Sequence, residues 1–424
     1  MEDILQIHEN YTIDDSLKSY EDFAYQPISG TQLNSAGEIT IRIENQDAYF
    51  HPHKSWLQIE GQLTKDTAAV YGDGDVVTLI NNGLMFLFEN ARYELSGKEI
   101  ESVYHPGHAT TILGLAKYPR ERLNQCWSRD TGTGTASLTT NDGFKDRHTF
   151  IIRNSDPKGS FRFAIGLDHI FGFCEDYDKI MYGFVHSLTL VRAGDNNAIF
   201  RNAAAGAGKV TISSIKWMMP RVIVNDQENL RLYKTIESKE TIDVGFRMRQ
   251  LTNVQLPETK NFTWRLGIRS APEKPRYIMI AFQTDRENNQ EKNVAAFDHC
   301  TLTNLYVLLN NIRYPAIDFN ASFEKNHYDN LYKHLADFTE KYYGLDPLAV
   351  QCSGVNPINF KNLYPVFIVD VSKQSERLKQ GVVDISVEMF FKDNVAGSTT
   401  AHALLLSDRL LKFQSDGRKM NVIH

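Results

Sequence analysis

The feature that most constrains this chain is a strict alternation of apolar and polar residues in short segments. In Glu38–Glu44 every second residue is isoleucine, and the residues between are polar or charged. Successive side chains of a β-strand point to opposite faces, so this pattern predicts a strand with one buried face. The same period continues through Leu57–Leu63 after Trp56. Short strands separated by turn residues predict a sandwich or a barrel.

Further strands are predicted wherever alternating or continuous apolar runs lie between turn residues. They are Tyr93–Leu95, Phe150–Ile152, Phe161–Phe163, Ser187–Val191, Val210–Ile212, Phe262–Leu266 and Pro275–Phe282. The last of these is almost wholly apolar, which predicts burial on both faces. Ser128–Asp146 is small, polar and glycine-rich, and it predicts a long exposed loop with Gly132-Thr133-Gly134 at its tip.

Helices are predicted in three places. Residues 109–123 form one candidate. A connector near residues 221–239 contains another, with Asn225 as its N-cap. The clearest helix has aromatic and leucine residues three and four positions apart from Tyr328 to Tyr342, with Asn326 as its cap and Gly344 at its end.

The chain has 424 residues, which is too long for one ordinary core and favours two domains of about 200 residues. Asn90–Ile100 can be laid over Asn304–Tyr314 without a gap, and Ser96-Gly97 then matches Asn310-Asn311. Both pairs suit a tight turn with positive φ between two strands. A strand that begins with tryptophan precedes each copy, at Trp56 and Trp264, and a helical stretch follows each. The order predicts a duplicated architecture.

The predicted division of the chain has four parts. Residues 1–35 are polar and without periodicity, so we expect an arm that orders only against a neighbouring molecule. Residues 36–220 form the first β domain, 221–239 the connector, and 240–424 the second β domain.

The net charge of -6 predicts no general attraction to nucleic acid or to an anionic membrane. The acidic N-terminal segment does not resemble a secretory or transit signal, and no run approaches the roughly 20 apolar residues of a membrane span. The four cysteines, Cys126, Cys174, Cys300 and Cys352, form no CxxC pair and are interpreted as buried free thiols. A chain folded inside a cell is expected.

The close histidine pairs do not predict a metal site. His51 and His53, and also His105 and His108, lack cysteines or carboxylates at metal-ligand spacing. Asp298-His299-Cys300 contains a base and a nucleophile, but neighbours in a strand point to opposite faces, so a core thiol with surface polar residues is the better interpretation.

The remaining candidates are also interpreted as structural. Gly132-Thr133-Gly134 lacks the lysine and the βα context of a phosphate-binding loop. Glu175, Asp176 and Asp178 lack the spacing of a calcium loop and are interpreted as a solvated turn. Lys373, Arg377 and Lys379 could touch nucleic acid or an acidic neighbour, although a charged loop is the simpler interpretation. No catalytic, cofactor-binding or metal-binding residue is predicted, and the chain is not expected to be an enzyme.

Several segments of the second half resemble a known family. The segments are Lys274–Thr284, Ala296–Cys300, Leu305–Asn310 and Arg313–Pro315. They resemble the second roll of the double jelly-roll major capsid proteins of Polinton-like, adintovirus-like and nucleocytoplasmic large DNA viruses. Ala91–Lys98 resembles a strand and turn of the first roll, although Ser96 stands where the family usually has asparagine. Leu363–Lys379 is similar to capsid-like reading frames of invertebrate genomes.

This resemblance implies an all-β fold of two tandem eight-stranded antiparallel jelly rolls with short helices in the loops. It implies a major capsid protein that trimerises into pseudo-hexagonal capsomers and assembles an icosahedral shell around double-stranded DNA. The implied partners are other copies of the chain and minor or penton capsid proteins, with an inner membrane or packaged DNA as indirect partners. No cofactor or small-molecule substrate is implied.

The implied location is the virion capsid, assembled in the host cytoplasm or nucleus, and a copy of the gene integrated in a host genome is compatible with the same residues. The alternative hypothesis is a tandem β-sandwich that binds carbohydrate or another ligand, as a spike does. A β-sandwich hydrolase comes third, because it requires two converging carboxylates.

Overall fold

A computed structural model gives the fold of the chain. The structure describes residues 16–28, 31–45, 47–267, 274–345, 354–374, 383–416 and 419–423.

The first half of the chain forms two facing antiparallel sheets. One sheet has the order β1-β13-β4-β10, with β3 also paired to β13, and the other has the order β2-β11-β6-β7. Two smaller ribbons, β12-β5 and β8-β9, lie beside them. The strands are β1 (Leu17–Tyr25), β2 (Glu38–Ile43), β3 (Tyr49–Phe50), β4 (Trp56–Lys65), β5 (Val77–Leu79), β6 (Phe88–Leu95), β7 (Lys98–Tyr104), β8 (Glu121–Arg122), β9 (Trp127–Ser128), β10 (Ser160–Gly166), β11 (His186–Arg192), β12 (Ile199–Arg201) and β13 (Gly208–Val224).

The second half repeats this arrangement. One sheet has the order β14-β21-β16-β19, with β22 also paired to β21, and the other has the order β15-β20-β17-β18. The strands are β14 (Ile242–Gln255), β15 (Asn261–Leu266), β16 (Lys274–Thr284), β17 (Leu302–Leu309), β18 (Ile312–Tyr314), β19 (Phe367–Asp370), β20 (Ile385–Phe391), β21 (Thr399–Ser415) and β22 (Met420–Ile423).

Each half is an eight-stranded jelly roll. If the eight principal strands of either half are numbered along the chain, one sheet has the order first, eighth, third, sixth, and the other has the order second, seventh, fourth, fifth. This order places two four-stranded antiparallel sheets face to face, as in a jelly roll. The two halves share one strand order, so the predicted all-β fold of two tandem jelly rolls is confirmed.

Short helices occupy the connections. The α-helices are α1 (Pro106–Lys117), α2 (Asp142–His148), α3 (Leu167–Ile170), α4 (Gly172–Asp176), α5 (Asp226–Glu237), α6 (Asp329–Ala336), α7 (Phe338–Tyr343) and α8 (Pro357–Asn362). Single 3-10 turns lie at Pro52–Lys54, Gly83–Leu87, Leu123–Gln125 and Ala203–Ala205, and a π turn at Thr149–Arg153. Among the helices in the described ranges, none is long and apolar enough to cross a membrane.

The predicted repeat is a hairpin in the same place in both rolls. It joins β6 to β7 in the first roll and β17 to β18 in the second. Both residues of each turn have positive φ: 49° and 79° at Ser96 and Gly97, and 47° and 69° at Asn310 and Asn311. The turn chemistry predicted from the sequence is therefore confirmed.

The two tryptophan strands, however, are not counterparts. Trp56 begins β4, the third strand of its roll, whereas Trp264 lies inside β15, the second strand of its roll. The true counterpart of β4 is β16. The matching was wrong because a tryptophan near a strand start reports local packing and carries no information about sheet order.

The arm prediction is wrong for residues 17–25. This segment forms β1, which pairs with β13 of the same chain from Leu17 opposite Val224 to Tyr25 opposite Trp217. Most of its side chains are exposed on both faces, so the segment has no hydrophobic alternation, and backbone hydrogen bonds define it as a strand. Residues 1–15 lie outside the described part of the chain.

The cores follow the predicted alternation. Ile39, Ile41 and Ile43 are fully buried, and Tyr277–Phe282 is buried at every position. Phe150–Ile152 is not a strand but part of the π turn that continues α2. Ile151 and Ile152 are both buried, which a π turn permits and an alternating strand with one buried face does not.

The predicted helix caps are confirmed in part. The side chain of Asn225 accepts a hydrogen bond from the amide of Glu228 at 2.8 Å and caps α5. The helical segment after β18 begins at Asp329, after Tyr328 instead of Asn326, and it divides into α6 and α7 at Asp337. Gly344, with a φ of 64°, ends α7 as predicted.

Candidate functional site: the junction between the two rolls

The two rolls are joined through buried polar groups. Glu101 of β7 is fully buried, and its two carboxylate oxygens accept hydrogen bonds from opposite rolls. The amide of Phe173 in the first roll donates at 3.0 Å, and the amide of Arg249 in the second donates at 2.8 Å. Burial raises the pKa of Glu101, while the Arg249 guanidinium and the backbone amides oppose that rise. One side chain thus links β7 to β14.

Glu175 of α4 is the centre of an ion-pair network. Its carboxylate pairs with Lys117 of the first roll and with Arg249 of the second, and all three side chains are at most 8% exposed. Burial acts to raise the pKa of Glu175, but the Lys117 ammonium and the Arg249 guanidinium hold it well below its ordinary value. Burial lowers the pKa of Lys117 to about 8, and Glu175 opposes this shift. The carboxylate is therefore charged at neutral pH.

Two tyrosines of α7 complete the hydrogen bonding of Glu175. The hydroxyl of Tyr342 donates to one oxygen at 2.9 Å, and the hydroxyl of Tyr343 donates to the other at 2.6 Å. Arg249 also donates to the carbonyls of Asp168 and His169 in the first roll. Buried charges need extensive pairing of this kind, because an unpaired one carries a large desolvation cost. Of the Arg249 side-chain nitrogens, Nε has no partner among the described residues.

A second ion pair lies beside this network. The Nε of Arg247 donates to Asp176 at 2.8 Å, and the backbone amide of Arg247 donates to the same carboxylate at 2.7 Å. The guanidinium lies over the ring of Tyr342, 3.6 Å from its centroid. Arg247 therefore contacts the first roll through charge and its own roll through an aromatic face.

Backbone approaches backbone at Gly172. A Cβ at this position would lie 1.8 Å from the carbonyl oxygen of Arg247. Real Cβ atoms do not come this close, so only glycine allows α4 and β14 to pack at this distance.

Another contact is built on Asp130. Arg147 donates to its carboxylate at 2.8 Å within the first roll. From the second roll, Asn293 donates to the other carboxylate oxygen at 2.9 Å, and the hydroxyl of Tyr364 donates to the Asp130 carbonyl at 3.1 Å. Both Asp130 and Arg147 are fully buried side chains. The rolls are therefore held together at two separate places.

Two sequence predictions fail at this junction. Glu175 and Asp176 are not in a solvated turn, because both belong to α4 and face cations of the other roll; only Asp178 is exposed. The loop predicted at Ser128–Asp146 is exposed only in part, because Ser128, Asp130 and Asn141 are buried and α2 begins at Asp142. The polar composition of these segments suggested that their side chains are exposed to solvent. The side chains are instead buried with partners that are distant in sequence.

The histidine pairs lie in different environments. His51 bonds through Nδ1 to the Tyr20 hydroxyl at 2.9 Å, and Nδ1 of His53 donates to the Cys174 carbonyl at 2.8 Å. His105 is exposed at the start of α1, and His108 is buried on the side of α1 that faces the second roll. His108 stacks on His402 of β21, a residue that no local pattern could connect with it.

Asp298, His299 and Cys300 line one cleft of about 460 Å³ but do not form a nucleophile and base. Asp298 pairs with Arg286, and the ring of His299 stacks on Phe323 at 4.3 Å. Burial raises the pKa of Cys300 to about 12, so the thiol stays protonated and is a poor nucleophile. The segment is a turn with positive φ at Cys300 instead of a strand.

The remaining residues considered in the sequence are the cysteines, the glycines of the loop tip and the basic segment near Lys373. Cys126 and Cys174 are buried free thiols as predicted, but Cys300 is only partly buried. Gly132 and Gly134 have positive φ, but only Gly132 is exposed, whereas Gly134 is buried against Leu363 of the second roll. The prediction of an exposed, flexible tip is therefore wrong for Gly134. Lys373 is exposed in a turn. Arg377, Lys379 and Cys352 lie outside the described residues.

Comparison with known proteins agrees with this architecture. The family model described as the double jelly roll-like domain matches residues 77–411. No curated protein matches the chain.

Solved structures of viral capsid proteins share the fold over almost the whole chain. The PBCV-1 VP54 structure fitted into a reconstruction of the virophage Sputnik has a TM-score of 0.56 at 9% identity, covering 99% of this chain and 98% of that one. The Faustovirus major capsid protein has a TM-score of 0.55 at 9% identity, covering 98% and 94%. The Sputnik virophage structure has a TM-score of 0.54 at 8% identity, covering 98% and 90%. On its fold and its match to the family model, this chain belongs to the double jelly roll-like domain family.

Proposed function

We propose that this chain is a viral major capsid protein that forms trimeric, pseudo-hexagonal capsomers and assembles an icosahedral shell around double-stranded DNA. The observation that carries the proposal is the full-length agreement with viral capsid proteins: two rolls, in one order, with at least 90% of each of the three neighbouring chains covered. A shared single roll would carry less weight, because single jelly rolls occur in proteins of many functions.

The duplicated fold suits a tiling subunit. Each chain supplies two sectors with the same strand order. Three chains around a threefold axis supply six similar sectors, and the outline approximates a hexagon. Closed cyclic assembly uses heterologous contacts within the trimer, and further contacts between trimers extend the layer.

The junction supports this role because a tiling subunit needs a fixed angle between its two sectors. The network of Glu175, Lys117 and Arg249 and the contact at Asp130 join the rolls at separate places. Contacts at two separate places resist hinge motion between the rolls. The proposed units are therefore the two rolls, moving as one body. The strand β13 continues to Val224, so the connector that we placed at residues 221–239 begins only after residue 224.

The outer surface supplies apolar groups for contacts between copies. Large side chains that are at least 40% exposed are Leu17, Tyr20, Phe23, Ile28, Val70, Tyr104, Ile223, Leu230, Ile312, Ile317, Tyr343, Leu345, Ile358 and Leu410. Exposed apolar area of this kind is what subunit contacts bury.

The proposed partners are other copies of the chain first, then minor or penton capsid proteins, with an inner membrane or packaged DNA contacted indirectly. The proposed location is the virion capsid, after assembly in the host cytoplasm or nucleus. No catalytic role is proposed, because Asp298 pairs with Arg286, His299 stacks on Phe323, and burial raises the pKa of the Cys300 thiol.

Light scattering after size exclusion tests the trimer. The proposal predicts a mass three times that of the subunit at micromolar protein concentration. A stable monomer that binds immobilised glycans would contradict it and favour the tandem ligand-binding hypothesis. The junction lies within one chain, so the Arg249→Met variant provides a useful comparison. It should lower the free energy of unfolding, while the folded variant keeps the mass of a trimer.

A further inference from the structure

A second cluster of polar groups lies between the rolls, away from the ion-pair network. It contains His108 of α1 in the first roll, with Glu287 and His402 in the second. One potential ligand atom from each side chain lies within 4.8 Å of the other two. The three residues are far apart in sequence, so the sequence predicted no metal site at His108.

The two imidazoles are packed against each other. The rings of His108 and His402 stack at a centroid distance of 4.4 Å and an angle of 14°. The Nε2 of His108 lies 3.2 Å from Oε1 of Gln283 and 3.9 Å from a carboxylate oxygen of Glu287. The amide nitrogen of Gln283 donates to the carbonyls of Val294 and Ala296, which fixes its oxygen toward His108.

His402 is the unexplained member of the cluster. It is fully buried, and neither of its ring nitrogens has a hydrogen-bond partner within the described part of the chain. Buried polar atoms are almost always paired, so an imidazole with two unpaired nitrogens needs a reason. A core histidine that served packing alone could be replaced by an apolar ring without this cost.

We propose that His108, Glu287 and His402 bind one Zn²⁺ ion that ties the first roll to the second. Two imidazoles and one carboxylate are a known Zn²⁺ ligand set, with a fourth position open to water. Tetrahedral coordination needs ring nitrogens about 2.0–2.1 Å from the ion, with lone pairs that converge on it. At least one of the two nearly parallel rings must therefore rotate out of the stack, and a His108 that binds through Nε2 gives up its hydrogen bond to Gln283. The neutral form of an imidazole is the one that binds metal.

The site has a route for the ion. A cleft of about 240 Å³ between the rolls is lined by His108 and Glu287, and Glu89 and His105 lie on its walls. The side chain of Glu287 is 43% exposed, whereas that of His108 is 6% exposed. The carboxylate can therefore meet a hydrated cation in the cleft and pass it to His108, the imidazole that lines the same cleft.

The test uses the full chain, stripped of metal with a chelator and then titrated with Zn²⁺ against a chromophoric competitor. One saturable Zn²⁺ per chain is expected, together with a higher midpoint of thermal unfolding. Glu287→Gln should weaken the affinity by at least about tenfold. Glu287 is largely exposed, so this change should leave the fold intact.

Glu89→Gln is the matched control, because it removes the same charge from the same cleft without touching the cluster. It should leave the affinity within about twofold of wild type, since an exposed charge acts only through screened attraction. His402→Phe should abolish binding and should not lower the stability of the metal-free protein. Co²⁺ in place of Zn²⁺ should give a visible spectrum of a four-coordinate ion with nitrogen and oxygen ligands.

Three results would overturn the proposal. They are the absence of saturable Zn²⁺ binding at micromolar concentration, an affinity that Glu287→Gln and Glu89→Gln lower equally, and a thiolate-to-cobalt absorption band that assigns the ion to cysteines. The oligomeric mass is read separately, so failure here leaves the proposed capsid function standing.

Discussion

Replacement of Arg249 by methionine is the sharpest test of the junction. The guanidinium is 2% exposed, pairs with Glu175, and donates to two carbonyls of the other roll. Methionine keeps the apolar part of the side-chain volume but removes every side-chain donor. Breaking a buried ion pair from one side costs about 3–5 kcal/mol. Lys117 still pairs with Glu175, so we expect a loss near the lower end, about 3 kcal/mol.

The assay is urea unfolding followed by tryptophan fluorescence, since urea does not screen charges as guanidinium does. Arg42→Met is the matched control, because Arg42 also lies in a strand and pairs with Glu44, but both side chains are more than half exposed. It should cost less than about 1 kcal/mol. Equal urea midpoints for Arg249→Met and Arg42→Met would refute the claim that the network holds the rolls together.

Three further outcomes are expected. Gly97→Ala should lower the free energy of unfolding by about 1 kcal/mol, because Gly97 has a φ of 79°. A Cβ at Gly97 or at Gly37 meets no described atom within 4 Å, so Gly37→Ala should be nearly neutral. Equal urea midpoints for the two variants would contradict the turn geometry. Gly172→Ala should cost about 1–3 kcal/mol by overpacking the junction, and a midpoint equal to that of Gly37→Ala would argue against the close approach of α4 and β14. Burial lowers the pKa of His186 to about 3, so the folded state resists protonation of this ring and stability falls as the pH drops below about 6.5. His186→Phe should reduce the loss of stability between pH 7 and pH 5 by about 2 kcal/mol. An unchanged dependence of stability on pH would contradict this prediction.

The sequence predicted those parts of the fold that depend on neighbours along the chain. The alternation at Ile39, Ile41 and Ile43, the turn at Asn310-Asn311 and the cap at Asn225 are all local, because side-chain direction, turn φ and capping are decided within a few residues. The order of the strands in the sheets was not predicted from these local features. It was predicted from the resemblance to double jelly-roll capsid proteins, which implied the correct architecture.

The parts that failed depend on contacts between distant residues. The strand β1 has few buried side chains, and only its pairing with β13 defines it. Glu175 looked solvated because composition alone does not show that Lys117 and Arg249 lie beside it. An unusually dense acidic cluster directly after the apolar Phe171–Phe173 could have suggested a buried network, since a core helix carries charges only when they are paired.

His402 shows the same limit for a site. It lies within an apolar part of β21, and nothing near it in the sequence marks it as a partner of His108. Only the packing of the second roll against α1 brings the two rings together. Histidine in an otherwise apolar central strand is the one sequence signal that could have singled it out.

Electron microscopy of the purified full-length protein tests the central claim most directly, namely that two locked rolls make one rigid subunit that assembles in threes. Class averages are predicted to show a threefold particle with six similar lobes and a hexagonal outline. Particles of a single two-lobed chain, with a variable angle between the lobes, would contradict both the fixed junction and the capsomer.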